Sequence, residues 1–387
     1  MSYNLCERTG IYHLNHNFFR VYEDKRTLRK LNKPIWYIFG GNITDRPEYL
    51  NGYCKDLENF LSFRLRRDYG IENIYDYIRI MGVVYGFSDD DGTKGLSEKD
   101  CFDFAQTRLL PLFLDSNGNL LNKEECKKNL SQINFFSHSY GAEAIYNIFE
   151  ILKKLVKCKI NEERELKPNR MSDLLCDKDI QNVFNSCFHI SYAPVVDSTY
   201  IPTVRIKSLK DGIYPRSYVE YVKSNLSKKK LNGISIKYYE PFDDIFNYFK
   251  PECFSPCLEI WSSCLLNDKR PESIIDEHQM CVLRDCDDEL RPTDGCSSNG
   301  VYSVVSKNAD CVSNIMSSII ESATIRSIEN SQTLGMPVIN VDMKDYYDDA
   351  KDIHACYHLD ELTYQELPKI QKIKLGLNKL IDKFWGR

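Results

Sequence analysis

The sequence predicts an α/β protein in which a mainly parallel, twisted sheet is flanked by helices. Short apolar runs alternate along the chain with longer segments of helical periodicity. Strands that alternate with helices are joined by crossover connections, so this order favours parallel pairing. A hydrophobic fraction of 42% in 387 residues is sufficient for a large core. Ligands of such sheets bind beyond the carboxyl ends of the strands, and the functional residues are expected there.

Apolar runs bounded by turn residues give the predicted strands, which are Pro34–Phe39, Tyr77–Phe87, Ile133–Phe136, Phe188–Val196, Ile234–Tyr239 and Met336–Val341. Helical spacing of apolar residues predicts helices at Tyr49–Arg66, Ser97–Leu114, Tyr140–Val156 and Leu367–Trp385. Gly40 and Gly41 predict a sharp turn at the end of the first strand.

The segment 251–330 breaks this alternation because it is long and rich in cysteine. Seven of the 15 cysteines fall between Cys253 and Cys311. We predict an α/β core formed by residues 1–250 and 331–387, and a Cys-rich insertion at 251–330 that can act as a cap. The cysteine spacing differs from the tight pairs of zinc sites, so we expect no metal and mostly packed or exposed thiols.

Composition argues against several classes of protein. The net charge is −5 and the isoelectric point is near 5.9, whereas nucleic-acid binders are usually basic. The first twenty residues lack the apolar run of a signal peptide. No stretch approaches the roughly 18 apolar residues of a membrane span. We expect no nucleic-acid partner, no integral membrane segment, and a location in the cytoplasm or export without an N-terminal signal. The oligomeric state is not predicted.

The strongest chemical pattern is the segment Ile133–Ile145, in which an apolar strand, a short turn and a helix follow one another. The turn is Ser-His-Ser-Tyr-Gly at 137–141. A nucleophile between strand and helix sits on a strained turn and needs small residues two positions before and after it. Ser137 and Gly141 meet that need around Ser139. The backbone N–H of Tyr140, at the start of the helix, is a candidate oxyanion donor.

This turn resembles the nucleophile turn of the α/β-hydrolase family, whose signature is Gly-x-Ser-x-Gly, with Ser137 in place of the first glycine. The resemblance implies an α/β-hydrolase-like, lipase- or esterase-like serine hydrolase with Ser139 as its nucleophile. In this family an earlier strand ends in a glycine-containing loop that supplies the second oxyanion donor. Gly40 and Gly41 stand at such a strand end, which implies an N–H near Gly41 in that role.

The same resemblance places the catalytic base and acid after the nucleophile, in the order Ser, acid, His. The family's histidine lies between the last strand and the last helix, which leaves His354 and His358 as open alternatives. His189 is expected to be a core residue, and His278 falls in the insertion. The acid follows a strand in an Asp-x-Ile setting, for which Asp243 after Ile234–Tyr239 is the first choice. Its alternatives are Asp244, Asp294 and Asp197.

The implied reaction is hydrolysis of a carboxylic ester through an acyl-enzyme on Ser139, without a cofactor. A lipid ester or a thioester is a variant of that substrate. Three alternatives stay open on the same fold: a non-catalytic binding or interaction module, a peptidase and an acyltransferase.

Overall fold

A computed structural model shows an α/β architecture built on one large sheet. The structure describes residues 10–15, 18–21, 33–41, 47–85, 87–88, 95–96, 98–166, 175–196, 199–211, 233–241, 254–265, 278, 282–284, 290–292, 306–332 and 337–362.

The strands, numbered along the chain, are β1 Gly10–Asn15, β2 Phe18–Val21, β3 Ile35–Phe39, β4 Arg79–Val84, β5 Phe87–Ser88, β6 Gly95–Leu96, β7 Ile133–His138, β8 Phe188–Tyr192, β9 Thr203–Ser208, β10 Ile234–Tyr239, β11 Cys257–Ser262, β12 Val282–Arg284 and β13 Leu290–Pro292. The helices are α1 Pro47–Tyr69, α2 Glu98–Phe104, α3 Lys123–Leu130, α4 Gly141–Leu166, α5 Asp177–Phe184, α6 Lys307–Gln332 and α7 Met343–Cys356. A π turn at Ala105–Leu109 and a 3₁₀ turn at Leu110–Phe113 continue α2.

The main sheet has nine strands in the order β10-β11-β9-β8-β7-β3-β4-β1-β2. The strands from β11 to β4 run parallel to one another. One edge strand, β10, and the hairpin of β1 and β2 at the other edge are antiparallel to their neighbours. These pairings confirm the predicted α/β class with a mainly parallel sheet. The carboxyl ends of the parallel strands consequently meet at one edge of the sheet.

Helices cover both faces of the sheet, which explains why its central strands are continuous apolar runs. All five residues of β3 are buried. Trp36 and Ile38 pack into the cluster that contains α1, α6 and α7. Tyr37 and Phe39 pack into the opposite cluster, which contains α2, α3, α4 and α5. Because successive side chains of a strand point to opposite faces, the residues of this one apolar run pack into two different cores.

Most of the predicted elements are confirmed with shifted ends. Strands occur in five of the six predicted runs, and helices occur at the three predicted sites that the structure describes. The exception among the strands is Met336–Val341, where 337–341 forms no strand. There the side chain of Asn330 hydrogen-bonds both the N–H and the carbonyl of Ile339. These backbone groups are therefore paired with a side chain and not with a neighbouring strand. The predicted helix Leu367–Trp385 lies outside the described residues.

The predicted insertion at 251–330 requires correction, because two of its stretches belong to the core. Strand β11 lies inside the sheet between β10 and β9, and α6 packs against the same sheet. The alternation of β11 places Glu259 and Trp261 on one face and Leu258 and Ile260 on the other, so no continuous apolar run marked it as a strand. The cysteines described in this segment, Cys257, Cys264 and Cys311, are free thiols. A cap over the site stays a prediction.

None of the described helices is both long enough and apolar enough to cross a membrane.

A polar network lies within the sheet, on the α4 face next to the apolar core. The imidazole of His189 on β8 lies between the hydroxyls of Ser137 and Thr203, at 2.7 and 3.3 Å. Ser137 also donates to the hydroxyl of Ser191 at 3.0 Å. Burial lowers the pKa of His189 to about 3, and the charge of Arg205 adds to that effect. His189 is thus a neutral core residue, as the sequence predicts, and it gives the hydroxyl of Ser137 a partner.

We predict that His189 makes folding sensitive to mild acid. Above pH 6.5 this imidazole is neutral in both states, so its contribution to stability is complete. As the pH falls from 6.5 towards 3, the unfolded chain binds a proton that the folded chain does not, and the free energy of unfolding drops. His189→Gln removes that proton uptake. In urea titrations, the free energy of unfolding should fall between pH 7 and pH 5 by about 2 kcal/mol less in the variant than in the wild type. Equal losses for both proteins would contradict the assignment.

Candidate active site

The turn from β7 into α4 holds Ser139 in a left-handed backbone conformation, with φ at 53°. That conformation is costly for a serine and persists only where the surroundings impose it. Here the N–H of Ser139 donates to the carbonyl of Tyr192 at 3.0 Å, and its carbonyl accepts from Ala142 at 3.2 Å. The strand and helix that the sequence predicts on either side of Ser139 are both present. The turn therefore points a single hydroxyl away from the end of the strand.

Gly141 is required because the start of α4 nearly touches the end of β3. A Cβ atom at this position would lie 2.6 Å from the carbonyl oxygen of Phe39 and 2.9 Å from that of Gly40. Both contacts are with backbone atoms, which cannot rotate away. This is the close approach that the small residue at 141 predicts.

Gly41 lies directly beside Ser139. A Cβ atom at Gly41 would be 3.0 Å from the Cβ of Ser139 and 3.5 Å from its Oγ. The structure thus brings together three residues that the sequence singles out: Gly41 after β3, Ser139 after β7, and Tyr140 before α4. Whether the N–H groups near Gly41 and Tyr140 hold an oxyanion stays a prediction.

The hydroxyl of Ser139 contacts a histidine that the sequence did not predict in this role. The Nε2 atom of His278 lies 2.8 Å from Ser139 Oγ, and its Nδ1 atom lies 2.8 Å from Asp211 Oδ2. A carboxylate only accepts hydrogen bonds, so Nδ1 carries the proton and Nε2 is left to accept from the serine hydroxyl. All three side chains are buried.

Ser139 and Asp211 lie close together because each follows a parallel strand of the sheet. Ser139 leaves β7, and Asp211 closes the turn after β9, where its N–H donates to the carbonyl of Ser208 at 3.2 Å. His278 follows β11 in the chain. The order Ser, Asp, His is the order that the sequence predicts, but Asp211 and His278 stand where Asp243 and His354 or His358 are expected. Both differences follow from strands β9 and β11, which were not predicted.

His354 and His358, the predicted bases, lie elsewhere. His354 is in α7 and His358 follows its end, and the carbonyl of nearby Asp360 accepts from the N–H of Ile234 at the start of β10. This strand is four strands from β7 in the sheet. At about 4.8 Å per strand, β10 lies about 19 Å from β7. Neither imidazole is among the hydrogen-bond partners of Ser139 within the described residues.

The predicted acid, Asp243, lies outside the described residues, as do its alternatives Asp244, Asp294 and Asp197. The carboxylate that the structure places on His278 is that of Asp211. A signal for its position is present in the sequence: Thr203–Ser208 alternates Val204 and Ile206 with polar residues, and period-two alternation indicates a strand. A strand at this place would have put the acid in the turn after it.

His138, in the same turn as Ser139, contacts the backbone of His278. Its Nε2 atom lies 2.8 Å from the backbone carbonyl oxygen of His278, and its Nδ1 atom lies 2.8 Å from the hydroxyl of Tyr53 in α1. Burial lowers the pKa of His138 to about 4, and the neighbouring His278 adds to that effect. His138 is therefore a neutral imidazole at pH 7.

Within the part of the chain that the structure describes, no group of three or more His, Cys, Asp or Glu side chains is arranged to hold a metal ion.

Comparison of the sequence with models of known protein families finds no family that matches it, and comparison with proteins of curated function finds no significant match. Function is therefore inferred from the geometry of the site.

Proposed function

We propose that the protein is a serine hydrolase of the α/β-hydrolase type that cleaves a carboxylic ester through an acyl-enzyme on Ser139. The observation that carries this proposal is the pair of 2.8 Å contacts that join Ser139 Oγ to His278 and His278 to Asp211. A serine hydroxyl is a weak nucleophile until a base takes its proton, and the base needs a partner that fixes its tautomer. Both partners are present here in the required order.

In the first half of the reaction, Ser139 Oγ attacks the carbonyl carbon of the ester while its proton passes to His278 Nε2. Asp211 stabilises the imidazolium that forms and holds its orientation. When the tetrahedral intermediate collapses, the bond to the alcohol breaks, and His278 returns the proton to the departing oxygen. Ser139 is left as an acyl ester.

In the second half, water attacks the acyl carbon and gives a proton to His278. The bond from the acyl carbon to Ser139 Oγ then breaks, His278 returns the proton to Oγ, and the carboxylic acid is released. In both halves, negative charge develops on the former carbonyl oxygen. The N–H groups near Gly41 and Tyr140 are the proposed donors to that oxygen. Support for this role is the position of Gly41, where a Cβ atom would lie 3.5 Å from Ser139 Oγ.

The turn geometry also supports a nucleophile rather than a structural serine. A left-handed serine carries a conformational cost of order 1–3 kcal/mol, and glycine would relieve it. The chain instead keeps a serine at φ 53° and places a histidine on its hydroxyl. A serine with no chemical role has no need of either feature.

We predict that a fluorophosphonate labels the full-length protein once, at Ser139. The activated Oγ displaces fluoride from phosphorus and forms a stable phosphonyl ester, which intact mass spectrometry detects. Ser139→Ala should take up no label. Ser137→Ala is the matched control, because it removes a buried hydroxyl two residues away that bonds His189 instead of His278. It should still be labelled.

Two outcomes would contradict the proposal. The first is a folded wild-type protein that takes up no label, which favours a non-catalytic binding module. The second is label on Ser139→Ala. Given labelling at Ser139, esters of graded chain length, a thioester and peptide amides then separate an esterase from a peptidase. Added alcohol acceptors identify an acyltransferase.

We predict that His278, and not His354 or His358, is the base. His278→Gln should lower the rate of ester hydrolysis by about 10⁶-fold, because a residue of the unit that activates the nucleophile is lost. His354→Gln and His358→Asn should keep the wild-type rate; asparagine suits the left-handed backbone of His358, whose φ is 51°. Initial rates with a p-nitrophenyl ester compare the three variants. A large loss for either control with a small loss for His278→Gln would reverse the assignment.

A further inference from the structure

His138 is placed to hold the main chain of the proposed base. It is the last residue of β7, and its side chain lies on the opposite face of the strand from Ser137, towards α1. There it is buried and lies between two partners, the hydroxyl of Tyr53 and the backbone carbonyl of His278. The residue directly before the nucleophile therefore touches the residue that the nucleophile needs.

The two contacts determine which nitrogen of His138 carries the proton. A carbonyl oxygen only accepts, so the Nε2 atom must be the N–H that donates to His278. Since the imidazole is neutral at pH 7, its Nδ1 atom has a lone pair, which accepts the hydrogen of the Tyr53 hydroxyl. The carbonyl of His278 thus sets the tautomer of His138, and Tyr53 satisfies the nitrogen that this tautomer leaves unprotonated.

This bond supplies what the two side-chain bonds of His278 leave undetermined. The contacts of its ring with Asp211 and Ser139 orient the imidazole, but they do not fix the backbone from which the ring extends. The bond from His138 fixes that backbone to β7, one residue from the nucleophile. The proposed base and the proposed nucleophile are then both anchored at the carboxyl end of β7.

We infer that His138, oriented by Tyr53, is a positioning residue that holds His278 in register with Ser139. The inference rests on the proposed function. It differs from a packing role, because it depends on one N–H donor and not on the volume of the ring. The ring also lies near the rings of Tyr53 and Tyr192, with centroids 5.9 and 6.3 Å apart, so a packing role has to be tested separately.

The test compares two replacements of His138 that fill space but differ in the donor. His138→Leu has no donor. His138→Gln places an amide N–H at the same number of bonds from the backbone as the Nε2 atom of histidine. The rate of phosphonylation by a fluorophosphonate and the kcat and KM for a p-nitrophenyl ester are measured on each, with circular dichroism as the control for folding.

We expect His138→Leu to lower kcat by about 100-fold with little change in KM, because a displaced base impairs the chemical step more than binding. His138→Gln should recover most of that loss. Tyr53→Phe, which removes only the hydroxyl that holds the Nδ1 atom of His138, should lower kcat by about 5-fold. The matched control is His189→Gln, which changes a buried neutral histidine that does not bond His278, and it should react as wild type does.

The outcomes separate the two proposals. A wild-type protein that takes up no label overturns the proposed function and, with it, the role of His138. If the wild type is labelled, His138→Leu at the wild-type rate overturns only the positioning role. Equal losses in folded His138→Leu and His138→Gln also overturn it, since the donor then has no effect. Should the leucine variant fail to fold, a large loss of kcat in folded His138→Gln overturns the positioning role, and wild-type kcat in Tyr53→Phe overturns the part assigned to Tyr53.

Discussion

The close contact between the start of α4 and the end of β3 is the constraint on which the rest of the site depends. A Cβ atom at Gly141 would lie 2.6 Å from the carbonyl oxygen of Phe39, so only glycine lets the helix begin where it does. That start leaves only Ser139 and Tyr140 between strand and helix, and Ser139 takes a φ of 53°. The hydroxyl then lies at the edge of the sheet where Gly41 and the turn after β9 also arrive.

The sheet beside this turn buries three charged side chains on one face. On β9 and β11, Arg205, Lys207 and Glu259 are each almost fully buried, and Glu259 lies 2.8 Å from Lys207 and 3.8 Å from Arg205. Lys207 also lies over the ring of Trp261, at 5.1 Å from its centroid. Buried charges of this kind are tolerated when they are paired, and they seldom add much net stability. Because these charged residues alternate with apolar ones along β9 and β11, neither strand is a continuous apolar run in the sequence.

This explains which parts of the structure could be predicted from the sequence. Ser139 and Gly141 could be predicted because the strand, the turn and the helix are adjacent in the chain, and each has a local signal. The acid and the base depend on the number of strands that precede them. When the polar, alternating β9 is not recognised as a strand, the predicted acid falls one strand too late, after β10. When β11 is not recognised, His278 falls in a predicted insertion, and its contact with Ser139, 139 residues away in the chain, has no local signal at all.

The central claim is that Ser139 and His278 act as one chemical unit, and a double-mutant cycle on ester hydrolysis tests it most directly. The rates of wild type, Ser139→Ala, His278→Ala and the double variant are compared on one p-nitrophenyl ester, with folding checked by circular dichroism. Residues that act as a unit are non-additive, so either single change should remove nearly all of the enzymatic rate and the double variant should be no slower than the singles. Independent effects that multiply in the double variant, or four proteins with equal rates, would contradict the account.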